Sequence, residues 1–251
     1  MTSALIDVWN ASSFDQALQT KLSSQAQLVR DYLTTSHRQL LEREASDHRS
    51  APPTNRFGRR YMDFTEEIGR DMESRTIRAW HYTRLTDDEL QHIRDNGIYP
   101  GTLDTLRQRI DAQAAKGLFS RADADALYDA SPCHHREQQP GRLGKFWMVS
   151  DPEPVDDGGV EPLLANWGGE STYFWLEDER LKQLVVKIGR PHILEFAVPL
   201  AKTRHAYSAG CAVVGAFART LGCRPERGGF DLYAIEPLGP PAILTVHTTG
   251  E

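Results

Sequence analysis

The sequence predicts an α+β fold, and three observations lead to it. Strand-like segments crowd the second half of the chain without the regular alternation with helices that a parallel βαβ sheet needs. The first 55 residues show helical periodicity instead. Between the two lie segments that begin on a hydroxyl residue and end near glycine, as short capped helices do. The 251 residues, 39% hydrophobic and 25% charged, suffice for a sizeable core without disulfides or a structural metal.

Phe14, Leu18, Leu22, Val29, Leu33 and Leu40 recur at helical spacing, which predicts helix over 14–45. From Asp47 to Arg60 the pattern breaks at Ser50-Ala51-Pro52-Pro53, so this stretch reads as a loop or linker. Arg56, Arg59 and Arg60 form a small basic cluster in it. A helical N-terminal region with its linker thus spans 1–75, and the main domain 76–251. The N-terminal helix either packs on that domain or serves as a partner-binding arm.

Ile77 to Thr83 reads as a strand. Thr86-Asp87-Asp88-Glu89 is a capping box, with a hydroxyl at the N-cap and a carboxylate at N3, and Gly97 marks the end of its helix. Thr102 and Ser120 predict helices over 103–116 and 121–129. Lys145 to Ser150 is a strand, and Glu161 to Trp167 a short helix stopped by Gly168-Gly169. High β-propensity predicts a further strand at Ser171 to Trp175. Arg180 to Ile188 is helical, His192 to Val198, Phe230 to Ile235 and Ile243 to His247 are strands, and Tyr207 to Leu221 is an apolar helix with Cys211 in its core face.

Twenty-nine Lys and Arg against 35 Asp and Glu leave a net charge of -6. That excludes a globally basic nucleic-acid coat, although not a local patch. Three cysteines cannot all pair within one chain, which fits a reducing compartment. Met1 to Asn10 lacks the features of a signal peptide, and the longest apolar run is far shorter than a membrane span. A cytoplasmic protein with no membrane partner is expected. Cys133-His134-His135 offers metal-ligand chemistry, but adjacent side chains diverge and no second pair has zinc-site spacing, so no metal is expected.

Three constellations point to chemistry. In Trp80-His81-Tyr82-Thr83, strand alternation places His81 and Thr83 on one face. In Asn166-Trp167-Gly168-Gly169-Glu170-Ser171-Thr172-Tyr173, paired glycines allow close backbone approach beside a carboxylate and a ring, or else form a plain surface corner. Gly228-Gly229-Phe230-Asp231 repeats the pairing of two glycines with an acid.

The first block, with His81, Thr83, Ile93 and Gly97, resembles the opening of the ADP-ribosyltransferase superfamily in its diphtheria-toxin-like, PARP-like and DNA-modifying toxin branches. The likeness is close over about 20 residues and loose over about 170. It implies an ADP-ribosyltransferase-like domain of mixed or antiparallel sheets with flanking helices. It also implies NAD as substrate, with nicotinamide released and ADP-ribose moved to a macromolecular acceptor, protein or nucleic acid. By the same resemblance His81 binds a ribose on the adenosine or nicotinamide side, and Thr83 fixes the nicotinamide end. Tyr173 or Trp147 adds an aromatic wall. The usual catalytic Glu position holds Asp231; Glu170 and Asp231 each follow a glycine pair, and Glu170, with the longer reach and neighbours that can bind a ribose or ring, ranks first as the catalytic carboxylate and Asp231 second. The alternatives are an RNA 2′-phosphotransferase-like enzyme and a non-catalytic nucleotide-binding or interaction module. A toxin or defence role, with an inhibitory partner protein, follows from analogy alone.

Overall fold

The computed structural model describes residues 5–45, 54–225 and 228–248, and they form an α+β structure. In chain order the elements are β1 (Leu5–Ile6), α1 (Gln16–Ser24), α2 (Ala26–Ala45), α3 (Gly58–Met72), β2 (Thr76–Leu85), α4 (Asp87–Asn96), α5 (Leu103–Ala115) and α6 (Arg121–Asp129). They continue with α7 (Gln139–Arg142), β3 (Phe146–Val149), α8 (Glu161–Ala165), α9 (Glu170–Tyr173), α10 (Glu179–Lys187), β4 (Arg190–Pro199), α11 (Ala206–Thr220), β5 (Asp231–Ala234) and β6 (Ile243–Thr248). None of the described helices is long and apolar enough to cross a membrane.

The chain divides into two units, Met1–Arg78 with Pro199–Asp231, and Ala79–Val198 with Leu232–Glu251. In the first, β1 pairs in parallel with Thr76 and Ile77. Phe64, Ile68 and Met72 recur every fourth residue on α3 and are buried, and α3 packs against α11. The two helices approach so closely that a Cβ on Gly210 would lie 2.6 Å from the Gly69 nitrogen. A side chain at Gly210 would push the pair apart. Helix α11 thus falls in the same unit as the N-terminal helices. Two expectations are corrected here. The stretch read as linker to Arg60 becomes helical at Gly58, which places Arg59 and Arg60 on α3, while residues 46–53 lie outside the described ones. Cys211 is exposed and not in the core, because α11 turns Ala209, Gly210, Val213 and Val214 inward.

In the second unit the strands run in the order β5-β3-β2-β4-β6. Strands β2 and β3 are antiparallel, as are β4 and β6. Trp80 and Tyr82 point from β2 into a small cluster with Val160 and Leu164. Helices α5, α6 and α10 close around a larger apolar cluster that includes Ile110, Leu127, Trp167 and Val185.

The predicted caps form. The Thr86 hydroxyl accepts from the Glu89 N–H at 3.4 Å, and the Glu89 carboxylate accepts from the Thr86 N–H at 2.8 Å. Gly97 then ends α4 at a φ of 78°. Thr102 and Ser120 start α5 and α6 by the same device. Thr86→Ala should therefore cost about 0.5–2 kcal/mol, read as a lower urea midpoint; an unchanged midpoint would show the cap to be dispensable.

Candidate functional site

Alternation along β2 sends Trp80 and Tyr82 to one face and leaves His81 and Thr83 on the other. Thr83 is buried, at 5% exposure. His81 is half-buried, its ring 4.4 Å from that of Phe146 on β3. Its Nδ1 lies 2.8 Å from the Trp147 carbonyl oxygen. A carbonyl only accepts, so Nδ1 holds the proton and Nε2 of the neutral ring is left as an acceptor. Burial pushes the imidazole down to about 4, the Trp147 carbonyl works the other way, and the Arg109 charge lowers it a little further. The ring is therefore uncharged at neutral pH.

That shift has a consequence for stability. As pH falls below the ordinary histidine value of about 6.5, the unfolded chain takes up a proton that folded His81 refuses until about 4. Stability should drop across that window and level out below it. His192, also lowered chiefly by burial, adds in the same sense. Urea unfolding at pH 7 and pH 5 should show a smaller difference for His81→Leu than for the parent chain; an equal difference would mean that the imidazole is not held neutral.

Beside His81, β3 supplies Trp147, which is 39% exposed. Its indole donates to the Gly141 carbonyl at 2.6 Å, and its ring meets Tyr233 edge-on at 4.7 Å. Lys145 Nζ sits 5.3 Å from the Trp147 ring centre and 4.2 Å from that of Tyr233.

Glu89 does more than cap α4. Its carboxylate also accepts from Arg109 Nε at 2.5 Å and from the Trp167 indole at 2.8 Å. Burial by itself would raise this carboxyl, but the Arg109 charge and these hydrogen bonds hold it below the usual range. The Arg109 guanidinium lies 4.9 Å over the Trp167 ring, and its Nη2 is buried with no hydrogen-bond partner among the described residues. No local pattern marks Arg109, because its partner is 20 residues away on another helix.

The second constellation differs from its expected form. Ser171 to Trp175 is not a strand, since Glu170–Tyr173 makes one helical turn. Gly168 and Gly169 have φ of 92° and 62°, which reverse the chain so that the Thr172 and Tyr173 N–H groups reach the Gly169 carbonyl. A Cβ on Gly168 would lie 2.0 Å from the buried Thr172 hydroxyl oxygen, so the glycine is needed. Local closure around these glycines prevails over the β-propensity of Thr-Tyr-Phe-Trp. Glu170 thus opens a helical turn instead of edging a strand. It is 51% exposed and pairs with Arg142 at 3.2 Å. Arg142 also lies 4.8 Å over the Phe174 ring. Tyr173 is pushed up to about 12 by burial and by the nearby Glu170 charge.

The short α7 links the two groups. Its Gly141 carbonyl holds the Trp147 indole, and the next residue, Arg142, holds Glu170. Asp231 opens β5 and is exposed, on an open groove of about 600 Å³ with His205, Ser208, Gly228, Gly229 and Phe230. Two further strand-associated acids stand apart from any glycine pair: Glu195 on β4 is paired with His247 at 2.8 Å, and Glu236, just after β5, is exposed. His134 points its ring at the Tyr128 carbonyl, while His135 meets Trp175, so the two side chains diverge as their adjacency implies.

The arrangement provides a neutral histidine acceptor, flat aromatic faces, and a carboxylate held by an arginine. These are the groups with which a protein binds a ribose and a planar ring and steadies positive charge developing between them. No family model, curated protein or solved structure matches the chain.

Proposed function

We propose that the chain is an NAD-dependent ADP-ribosyltransferase that releases nicotinamide and moves ADP-ribose to a macromolecular acceptor. The observation that most supports this reading is the neutral His81, fixed through Nδ1 by the carbonyl of Trp147, whose indole is held by Gly141 next to the Arg142 that pairs with Glu170. In this reading His81 Nε2 accepts from a ribose hydroxyl of NAD. Thr83 lines the same face, and Trp147 and Tyr173 offer ring surfaces to the nicotinamide end. As the bond between C1 of the ribose and nicotinamide breaks, positive charge builds on the sugar. Glu170 stabilises that charge and receives the 2′-hydroxyl. The acceptor then bonds to C1 and gives up its proton to solvent. Orientation and electrostatics supply the rate, with the leaving group already cationic in the substrate.

The test is release of nicotinamide from NAD by the purified chain, alone and with cell extract. Transfer of labelled ADP-ribose, followed by protease or nuclease digestion, identifies the acceptor. His81→Ala should abolish NAD binding by calorimetry while circular dichroism stays unchanged. NAD binding at parental affinity in that variant would remove His81 from the site, and no release with any extract would overturn the enzymatic reading.

A further inference from the structure

Outside the groups assigned to NAD, two large rings stand in solvent on the chain between α9 and α10. Phe174 and Trp175 are 48% and 40% exposed and lie 6.3 Å apart with a 34° tilt. The next residue, Leu176, goes into the core instead, and its N–H donates to the Tyr173 carbonyl at 3.1 Å. Arg142 lies 4.8 Å over the Phe174 ring, and His135 meets Trp175 edge-on at 4.6 Å, so both rings are braced by the chain. Large apolar side chains left exposed together mark an interaction surface. The charge beside them is negative. Glu177, Asp178 and Glu179 follow the rings and are all exposed. Glu179 is balanced by Lys182 at 2.6 Å, and Arg180 is taken by Asp123. Arg142 keeps only 12% of its side chain exposed and is paired with Glu170. Glu177 has no ion pair among the described residues, and neither has Asp178, whose Oδ1 caps α10 by accepting from the Arg180 and Leu181 N–H groups.

We infer that this surface docks an arginine-rich segment of a partner protein. An apolar partner covering the rings would strip water from Glu177 and Asp178 and supply no charge in return. A polyanion would be repelled by the same two carboxylates. A guanidinium answers both features, because its flat face lies on an aromatic ring and its fork of N–H donors matches a carboxylate. The chain already makes both contacts at this place: Arg142 lies over Phe174 while its Nη2 donates to Glu170 at 3.2 Å. The exposed area of Phe174 and Trp175, with Glu177 and Asp178 next in the chain, offers the same pair of contacts to a guanidinium arriving from solvent. Lysine fits less well, since an ammonium is more strongly hydrated and has no plane to stack. All four residues lie in the second unit, and none belongs to the proposed NAD site, so docking does not depend on the transferase reading.

Fluorescence anisotropy tests this with a labelled short peptide of alternating arginine and glycine, and with counterparts carrying lysine or glutamate in place of arginine. Each is titrated with the full chain at low salt. The arginine peptide should bind most tightly, the lysine peptide more weakly and the glutamate peptide not at all, and added salt should weaken binding. Phe174→Leu/Trp175→Leu should bind the arginine peptide at least about fivefold more weakly, the scale of two exposed cation–π contacts. Glu177→Gln/Asp178→Asn should lose a comparable factor, while the amide oxygen at position 178 still caps α10. Glu66→Gln/Glu73→Gln removes the same charge from exposed positions on α3 and at its end, and should bind like the parent. Circular dichroism and the urea midpoint report whether each variant is folded. Four results would each overturn the inference: no binding of the arginine peptide, equal binding of the arginine and lysine peptides, parental binding by either folded surface variant, or an equal loss in Glu66→Gln/Glu73→Gln.

Discussion

Glu170→Gln should lower the ADP-ribosyl transfer rate at saturating NAD by about 10²–10³-fold, the effect of removing one preorganised electrostatic stabiliser. The substitution keeps the shape of the side chain and its reach towards Arg142, now 3.2 Å away, while removing the charge that opposes the cationic ribose. NAD affinity should change far less, because the charge acts as the glycosidic bond breaks and not on the intact substrate. Asp231→Asn is the companion. Asp231 is exposed on the open groove at the start of β5, and its loss should leave the rate near that of the parent. If both variants transfer at the parental rate, neither acid is the catalytic carboxylate. If only Asp231→Asn is impaired, the assignment moves to the groove.

Glu89→Gln should be the most destabilising conservative change in the second unit. Glu89 keeps only 12% of its side chain exposed, and one carboxylate serves the Thr86 N–H, Arg109 and the Trp167 indole. The amide retains one acceptor oxygen but presents an NH₂ group where donors converge, and it leaves the Arg109 charge without its partner. Breaking a buried ion pair from one side costs about 3–5 kcal/mol, and the 29% exposure of Arg109 places this case towards the lower end. Urea unfolding of Glu89→Gln, Arg109→Gln and the double variant forms a cycle that isolates the pair. The double variant should recover part of the loss, since it leaves no unpaired charge. A cost below about 0.5 kcal/mol for Glu89→Gln would show that the network is solvated and without structural weight. The pH dependence has a definite sign. Because the Glu89 carboxyl is held below its ordinary range, its contribution is complete above the unfolded value of about 4.3. It is lost as pH falls through the lower folded value.

What the sequence determined by itself is local. Thr86, Thr102 and Ser120 each place a hydroxyl three residues before a side chain that returns the hydrogen bond, and the α4, α5 and α6 starts follow within one turn. The face shared by His81 and Thr83 follows from a two-residue repeat. Helices α1 and α2 follow from apolar spacing, apart from the short break at Gln25 between them. Segments whose conformation depends on distant contacts were not legible. Ser171 to Trp175 has strand-forming residues, yet two glycines with positive φ and the burial of Thr172 close it into a turn. Helix α11 is apolar over much of its surface, so its sequence does not reveal which side is covered; its crossing with α3 at Gly69 and Gly210 decides that, and leaves Cys211 outside. The site shows the same division. His81 was visible as a strand residue, but its neutrality comes from burial, with Phe146 against the ring, and its tautomer is set by a carbonyl 66 residues away. Arg109 and Arg142 had no local signature, because their meaning lies in Glu89 and Glu170, brought to them by the packing of separate helices. Hydrogen bonds within one turn are written in adjacent residues. Charge placement and ring stacking depend on which surfaces the folded core brings together, and only the tertiary structure decides that.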